Sequence, residues 1–246
     1  MTIEVGENWL GVDDVVRAAR GRETVVLATG ARARVVAARG VVMRLATSGQ
    51  TIYGLNSALG ANTGAALAPA DLQDYQRRAV RARAVAVGPS YDQASVRAMQ
   101  FSRIAGLARG GSGVSPEVLD ACIALLNRQV HPVVPRYGSI GVADLPQLSH
   151  LALPLFGEGE AEFGGALLSG QIALERAGLQ PVTLGVKDGL AGGCQTHHHA
   201  ACRYHSRTRA SGQHDGLAAT RCTHHVIHAQ PTLTDLNRHD TAVFTG

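Results

Sequence analysis

Tyr53 stands inside TIYGLNSALGANTG, a run with too many glycines and small polar residues for a regular element. A phenol in such a loop can exchange a proton with a bound molecule. Its reference pKa near 10 means that a base role needs nearby positive charge or hydrogen bonds to favour the phenolate. The competing reading is a packed aromatic. Asn56 stands three residues on. Arg83, in ARAVAVG, can hold an anionic group or simply decorate a helix. A second glycine-rich turn, RYGSIGVADLPQLSH at 136–150, opens onto an apolar run behind Asp144. Near the C-terminus, Cys194, His197, His198, His199, Cys202 and His205 lie close together, as do Cys222, His224, His225 and His228. These are soft or borderline metal ligands, but no C-x2-4-C pair of the kind used by structural zinc occurs, so no metal site is assigned.

Helices must position these loops. Val12–Arg20 reads as a short helix with Asp13 and Asp14 suited to its first turn. Arg32–Leu45 carries Val35, Ala38, Val42 and Leu45 at helical spacing. Asp71–Val87 reads as one helix closed by Gly88-Pro89, and Asp92 caps the next, which runs to about Arg109. After the GGSGVSPE loop, Ser115-Pro116 is a cap and first-turn pair for a helix bearing Val118, Cys122, Leu125 and Leu126. Asp144 caps a helix with Leu145, Leu148, Ala152 and Leu155 on one side, kinked or ended by Pro154. Leu167–Arg176 reads as helical and PVTLGVKDG as a small extended segment. The fold class is mainly α, with glycine-rich connecting loops.

Apolar residues make up 45% of the 246, enough for a real core, while aromatics at 4% leave alanine, valine and leucine to fill it. The net charge of +4 is arginine apart from Lys187, and it is scattered without interleaved aromatics, which argues against nucleic-acid binding. No uncharged apolar run reaches the roughly 18 residues that span a bilayer. The N-terminus MTIEVGENWLGVDD lacks the apolar centre of a signal peptide, so the expected location is the cytoplasm. Composition changes after Ala191. The last 55 residues hold nine of the eleven histidines and three of the four cysteines, with no apolar periodicity. Residues 1–191 are therefore expected to form the folded domain. Residues 192–246 read as an atypical tail, either degenerate and disordered or the product of a shifted reading frame.

Several stretches together resemble the aromatic amino acid lyases, histidine ammonia-lyase in particular. They are YGLN at 53–56, LARGGSGVSPE at 107–117, LLNRQVHPVVPRYGSIG at 125–141, DLPQLSHLAL at 144–153, GEGEA at 157–161 and KDGLA at 187–191. The resemblance covers residues 8 to 191 and implies an incomplete, ammonia-lyase-like helical domain matching the N-terminal part of the family. It also implies homotetramers that remove ammonia from an aromatic amino acid with an electrophile made from the chain. In that family an Ala-Ser-Gly triplet cyclises to a methylidene-imidazolone ring, usually called MIO. The resemblance places Tyr53 on the tyrosine regarded as the base, and Asn56 on a retained loop asparagine that can bind substrate or brace the loop.

The departures are as telling as the matches. Where the family pattern has Ala-Ser-Gly between Gly-Ser-x-Gly and Asp-Leu, only Val142-Ala143 stand between Gly141 and Asp144. Neither offers a leaving group on Cβ, so MIO is not expected to form and no other cofactor is implied. Arg83 replaces the histidine of the family's Ser-His pair, and Cys194 replaces an asparagine that orients the substrate amine. The leading expectation is a truncated or divergent homologue without ammonia-lyase activity. The alternatives are a MIO-independent lyase, isomerase or cyclase using Tyr53 as acid or base, and a non-catalytic binding or assembly protein. A small-molecule substrate is expected if the chain is active. Partners to expect are a homo-oligomer or an intact homologous subunit.

Overall fold

The structure, a computed structural model of the chain, describes residues 1–49, 51–52, 54–57, 67–68, 71–138 and 145–193, all within the unit Met1–Thr196. Tyr53, the 139–144 turn with its Val142-Ala143 pair, Cys194 and both histidine–cysteine clusters lie outside the described residues.

The chain opens with β1 (Thr2–Val5), α1 (Val12–Ala19) and β2 (Thr24–Leu27). The strands pair in parallel, Thr2 opposite Thr24 and Val5 opposite Leu27. Parallel strands need a crossover, and α1 supplies it. Asp13 and Asp14 sit in its first turn as expected, and the Asp14 carboxylate accepts from the Gly11 N–H at 2.9 Å. β2 has a side-chain neighbour on its other edge. Asn127 accepts from the Val25 N–H and donates to the Val25 carbonyl, both at 2.8 Å.

α2 (Thr29–Ala46) starts three residues before the expected Arg32 and buries Ala31, Val35 and Val42. α3 (Leu72–Arg81) stops well short of the expected Val87, because β3 (Val87–Ser90) is pulled into a ladder by a distant partner. α4 (Gln93–Ala108) begins as the sequence indicates, with the Asp92 side chain accepting from the Ser95 N–H at 2.8 Å. α5 (Pro116–Asn127) starts at the Ser115-Pro116 pair. β4 (His131–Pro132) and β5 (Pro135–Tyr137) follow, and β5 is the antiparallel partner of β3.

α6 (Leu145–Ala152) passes into a 3-10 turn at Leu153–Phe156, so Pro154 does end the α-helix. β6 (Glu160–Phe163) and β7 (Ala166–Ser169) form a hairpin across Gly164-Gly165, whose φ values of 59° and 78° suit a two-residue turn with both central residues left-handed. β4 adds on the far side of β6. The helix expected over 167–176 is therefore strand in its first three residues, and α7 is Gly170–Ala177 with Ser169 as its cap. The segment expected to be extended, 181–189, is irregular until α8 (Asp188–Gly193) begins.

α4 packs between α1 and α5 and carries the centre of the core. Phe101, Ile104 and Leu107 are buried against Leu119 and Leu126 of α5 and Val5 and Val25 of the strand pair. Each such side chain contributes roughly 1.5–3 kcal/mol when fully buried. Arg97 is buried in the same layer. Its Nε donates to the Ala18 carbonyl at 3.0 Å, and its Nη1 to the Leu126 carbonyl at 3.1 Å and Gln129 Oε1 at 3.0 Å. Both carbonyls belong to last turns of helices, so the negative ends of α1 and α5 offset the buried cation.

Candidate functional site

The described residues on either side of Tyr53 are tied to one another. Asn56 Oδ1 accepts from the Ile52 N–H at 2.7 Å, and the Ile52 carbonyl accepts from the Leu55 and Asn56 N–H groups at 3.1 and 3.3 Å. The buried Ser57 hydroxyl donates to the same carbonyl at 3.2 Å. Gly54 takes φ +69°, a left-handed conformation that glycine adopts without steric cost. Of the two roles open to Asn56 from sequence, the structure displays the brace.

Arg83 sits just past the end of α3, where its Nη1 donates to the Ala79 carbonyl at 2.7 Å and caps the last turn. Of the site residues proposed from sequence, the two that the structure describes are thus engaged locally. Asn56 closes its own loop and Arg83 closes its own helix. Upstream on α3, Arg77 and Arg81 converge on Glu158 of the GEGEA stretch. Arg77 Nη2 lies 3.0 Å from Oε1, and the Arg81 Nε lies 2.5 Å from Oε2. Hydrogen bonding from Arg81, then from Arg77, holds the Glu158 carboxyl below its usual range.

A group not singled out from sequence is held by several polar partners at once. Asp188, at the start of α8, has a fully buried side chain. Its Oδ1 accepts from the Ser115 N–H at 2.8 Å and faces Arg39 Nη1 at 3.4 Å. Its Oδ2 accepts from the Ser115 hydroxyl at 2.9 Å and the Gly185 N–H at 2.8 Å. Burial pushes its pKa up, while Arg39 and the Ser115 and Gly185 donors pull it back. One residue further, the Gly189 N–H donates to the buried Gln76 Oε1 of α3 at 3.0 Å. The KDGLA stretch is therefore bolted to α2, to the start of α5 and to α3.

Two other titratable groups, the half-buried Cys122 and the buried His131, are shifted by their surroundings. The Cys122 thiol is pushed up to about 12 by burial, so it stays protonated and is a poor nucleophile. His131 is lowered to about 4, first by burial and then by Arg97. The unfolded chain takes up this proton near pH 6.5, but the folded chain does so only near pH 4. Stability is therefore fully present above pH 6.5 and falls as pH drops from there toward 4. Urea midpoints at pH 7 and pH 5 should show this loss, and His131→Gln should remove its part of it. An unchanged pH dependence in that variant would exclude His131 as the source. Among the described residues no group of three or more His, Cys, Asp or Glu side chains could hold a metal ion, and no helix is long and apolar enough to cross a membrane.

The mainly helical architecture and these motif-bearing turns can be set against known proteins. The family model for aromatic amino acid lyases matches residues 10–225. The chain belongs to the aromatic amino acid lyase family. It is 43% identical over 186 residues to a histidine ammonia-lyase of Sorangium cellulosum, covering 74% of this chain and 36% of that protein. In structure it is similar to an ergothionase from Treponema denticola, with a TM-score of 0.77 and 31% identity over 80% of this chain and 39% of the other. A histidine ammonia-lyase from Trypanosoma cruzi gives a TM-score of 0.74 and 29% identity, covering 85% of this chain and 41% of that one. This aromatic amino acid lyase homologue thus spans little more than a third of the length of the curated relatives it matches.

Proposed function

We propose that this chain is an ammonia-lyase homologue that does not assemble the family's methylidene-imidazolone ring and has no ammonia-lyase activity of its own. The observation that carries the reading is the pair Val142-Ala143 between Gly141 and Asp144. Ring formation needs a serine, whose hydroxyl leaves to give the exocyclic alkene, and a glycine whose nitrogen closes the ring. Neither residue of the pair supplies either part, so the chain does not fit the group and no step is assigned to it. Arg83 in place of a histidine further weakens a histidine substrate, because a guanidinium does not exchange protons near neutrality. The division into a body ending at Ala191 and a tail from residue 192 belongs to the same proposal.

The intact mass of the purified protein tests it. The expected mass is that of the plain chain, apart from ordinary terminal processing, with no near-ultraviolet band from a conjugated ring. A loss of two waters mapped to residues 138–145 would overturn the reading.

A second reading rests on the match of Tyr53 to the tyrosine regarded as the family's base, in a stretch whose neighbours Ile52 and Asn56 are bonded to each other. In it Tyr53 acts as acid or base in an elimination, isomerisation or cyclisation that needs no amine capture. Either reading accommodates a partner chain, whether a second copy or an intact homologous subunit. α2 buries one stripe and leaves Val36, Val41, Met43 and Leu45 exposed along its flanks, a surface that suits packing against another helix.

A further inference from the structure

We propose that the outer edge of β1 is an interface for a second copy of this chain, joined antiparallel so that the two strand pairs become one continuous sheet. The ladder fixes which groups face outward. The Thr24 N–H donates to the Met1 carbonyl at 3.2 Å, and the Ala28 N–H to the Val5 carbonyl at 3.1 Å. Backbone groups alternate sides along a strand. Met1, Ile3 and Val5 therefore face β2, while Thr2 and Glu4 turn their N–H and C=O away from it. On β2 the same alternation turns Val25 outward, and Asn127 fills both of its groups at 2.8 Å. β1 has no such cover. Among the described residues nothing bonds to the outward groups of Thr2 or Glu4, and both residues are exposed. An uncovered edge of this kind is a template for another strand.

The edge is complementary to itself. Laid antiparallel, Thr2 stands opposite Glu4 of the partner subunit, and Glu4 opposite the partner's Thr2. Each is a hydrogen-bonded pair that exchanges both N–H···O bonds, so every outward group is used. Ile3 meets the partner's Ile3 on the two-fold axis, on the buried face of the strand. The contact is isologous and closes after two subunits. A slip of two residues either way leaves a single pair, with Thr2 against Thr2 or Glu4 against Glu4. Like charges directly opposite are destabilising. The register that fills the edge is thus also the one that sets a hydroxyl, not a second carboxylate, across from Glu4.

A four-residue strand makes a small interface, so the association is of the weak, reversible class. It uses a surface separate from the exposed flanks of α2. It holds whether or not the chain turns over a substrate, so it can fail or stand apart from the functional reading above.

Sedimentation equilibrium of the full chain, from low micromolar to near-millimolar concentration, tests it. A reversible monomer–dimer equilibrium is expected. Proline on an edge strand removes an outward N–H and leaves the inner ladder intact, so the double variant Thr2→Pro, Glu4→Pro should be monomeric throughout. Two exposed charge variants test the register even where the prolines prevent folding. Thr2→Glu sets like charges across both pairs and should weaken the dimer several-fold, while Thr2→Lys should tighten it several-fold. A chain that stays monomeric, including one whose edge accepts only some other extended peptide, would overturn the proposal. So would a dimer that survives the two prolines, or one that Thr2→Glu and Thr2→Lys change in the same direction.

Discussion

Asp188→Ala is expected to destabilise the folded chain by about 3–5 kcal/mol, the range found when one partner of a buried charge pair is removed. The side chain is fully buried and accepts from Ser115, Gly185 and Arg39, so its deletion strands several donors at once. Arg39, only 15% exposed, keeps its contact with the Val186 carbonyl but loses its carboxylate. Against a typical domain stability of about 5–15 kcal/mol this is a large fraction. Ser115→Ala removes only the hydroxyl's bond and should cost closer to about 1 kcal/mol. Urea unfolding reads both, as a shift in midpoint at constant slope. A loss below about 1 kcal/mol for Asp188→Ala would mean that the carboxylate contributes little net stabilisation, its burial cost cancelling its bonds.

Any turnover by this chain is expected to fall at least about 100-fold in Tyr53→Phe, the lower end of what a positioned acid or base contributes. The substitution deletes one hydroxyl and leaves the packing volume nearly unchanged. The described bonds on either side of it join Ile52 to Asn56 and Ser57. A screen of unsaturated acids and amino-acid-derived intermediates supplies the substrate. Treatment with a chelator should leave the same turnover unaffected. Full activity of Tyr53→Phe together with abolition by the chelator would move the site to the histidine–cysteine clusters of the tail.

What the sequence showed plainly was local chemistry. Asp92 marks a helix start because its cap bond is decided within three residues, and Pro154 ends α6 for a similarly local reason. Ser115-Pro116 also marks a helix start, but the Ser115 hydroxyl makes no cap bond and goes instead to Asp188. The errors fall where a distant partner decides. RARAVAV reads as a continuation of α3, yet Val87–Ser90 becomes strand because Pro135–Tyr137 lies beside it. Ala166–Ser169 has helical-looking leucines but pairs with Glu160–Phe163 across a two-glycine turn. Strands β1 and β2 are four residues each, too short for an alternating pattern to stand out. The same logic hid Asp188, which the sequence presents only as part of a motif. Its partners lie 73 residues away at Ser115 and 149 away at Arg39, and nothing in KDGLA announces them. The left-handed backbone of Lys187 was equally unreadable, because neither residue type nor spacing encodes it.

The carboxamide bridge between Asn127 and Val25 has a consequence for the chain as it is born. The two residues are 102 positions apart. Arg97, which ties the end of α1, also needs Leu126 and Gln129 before its donors are filled. At ribosomal speeds of about 5–20 residues per second, the first strand pair waits roughly 5–20 seconds for these groups to be made, longer still before they clear the exit tunnel. Throughout that interval Val25 keeps its outward N–H and carbonyl uncovered, on a strand edge able to recruit other extended chains. Nascent-chain handling is therefore a stage at which this edge is open to misassembly.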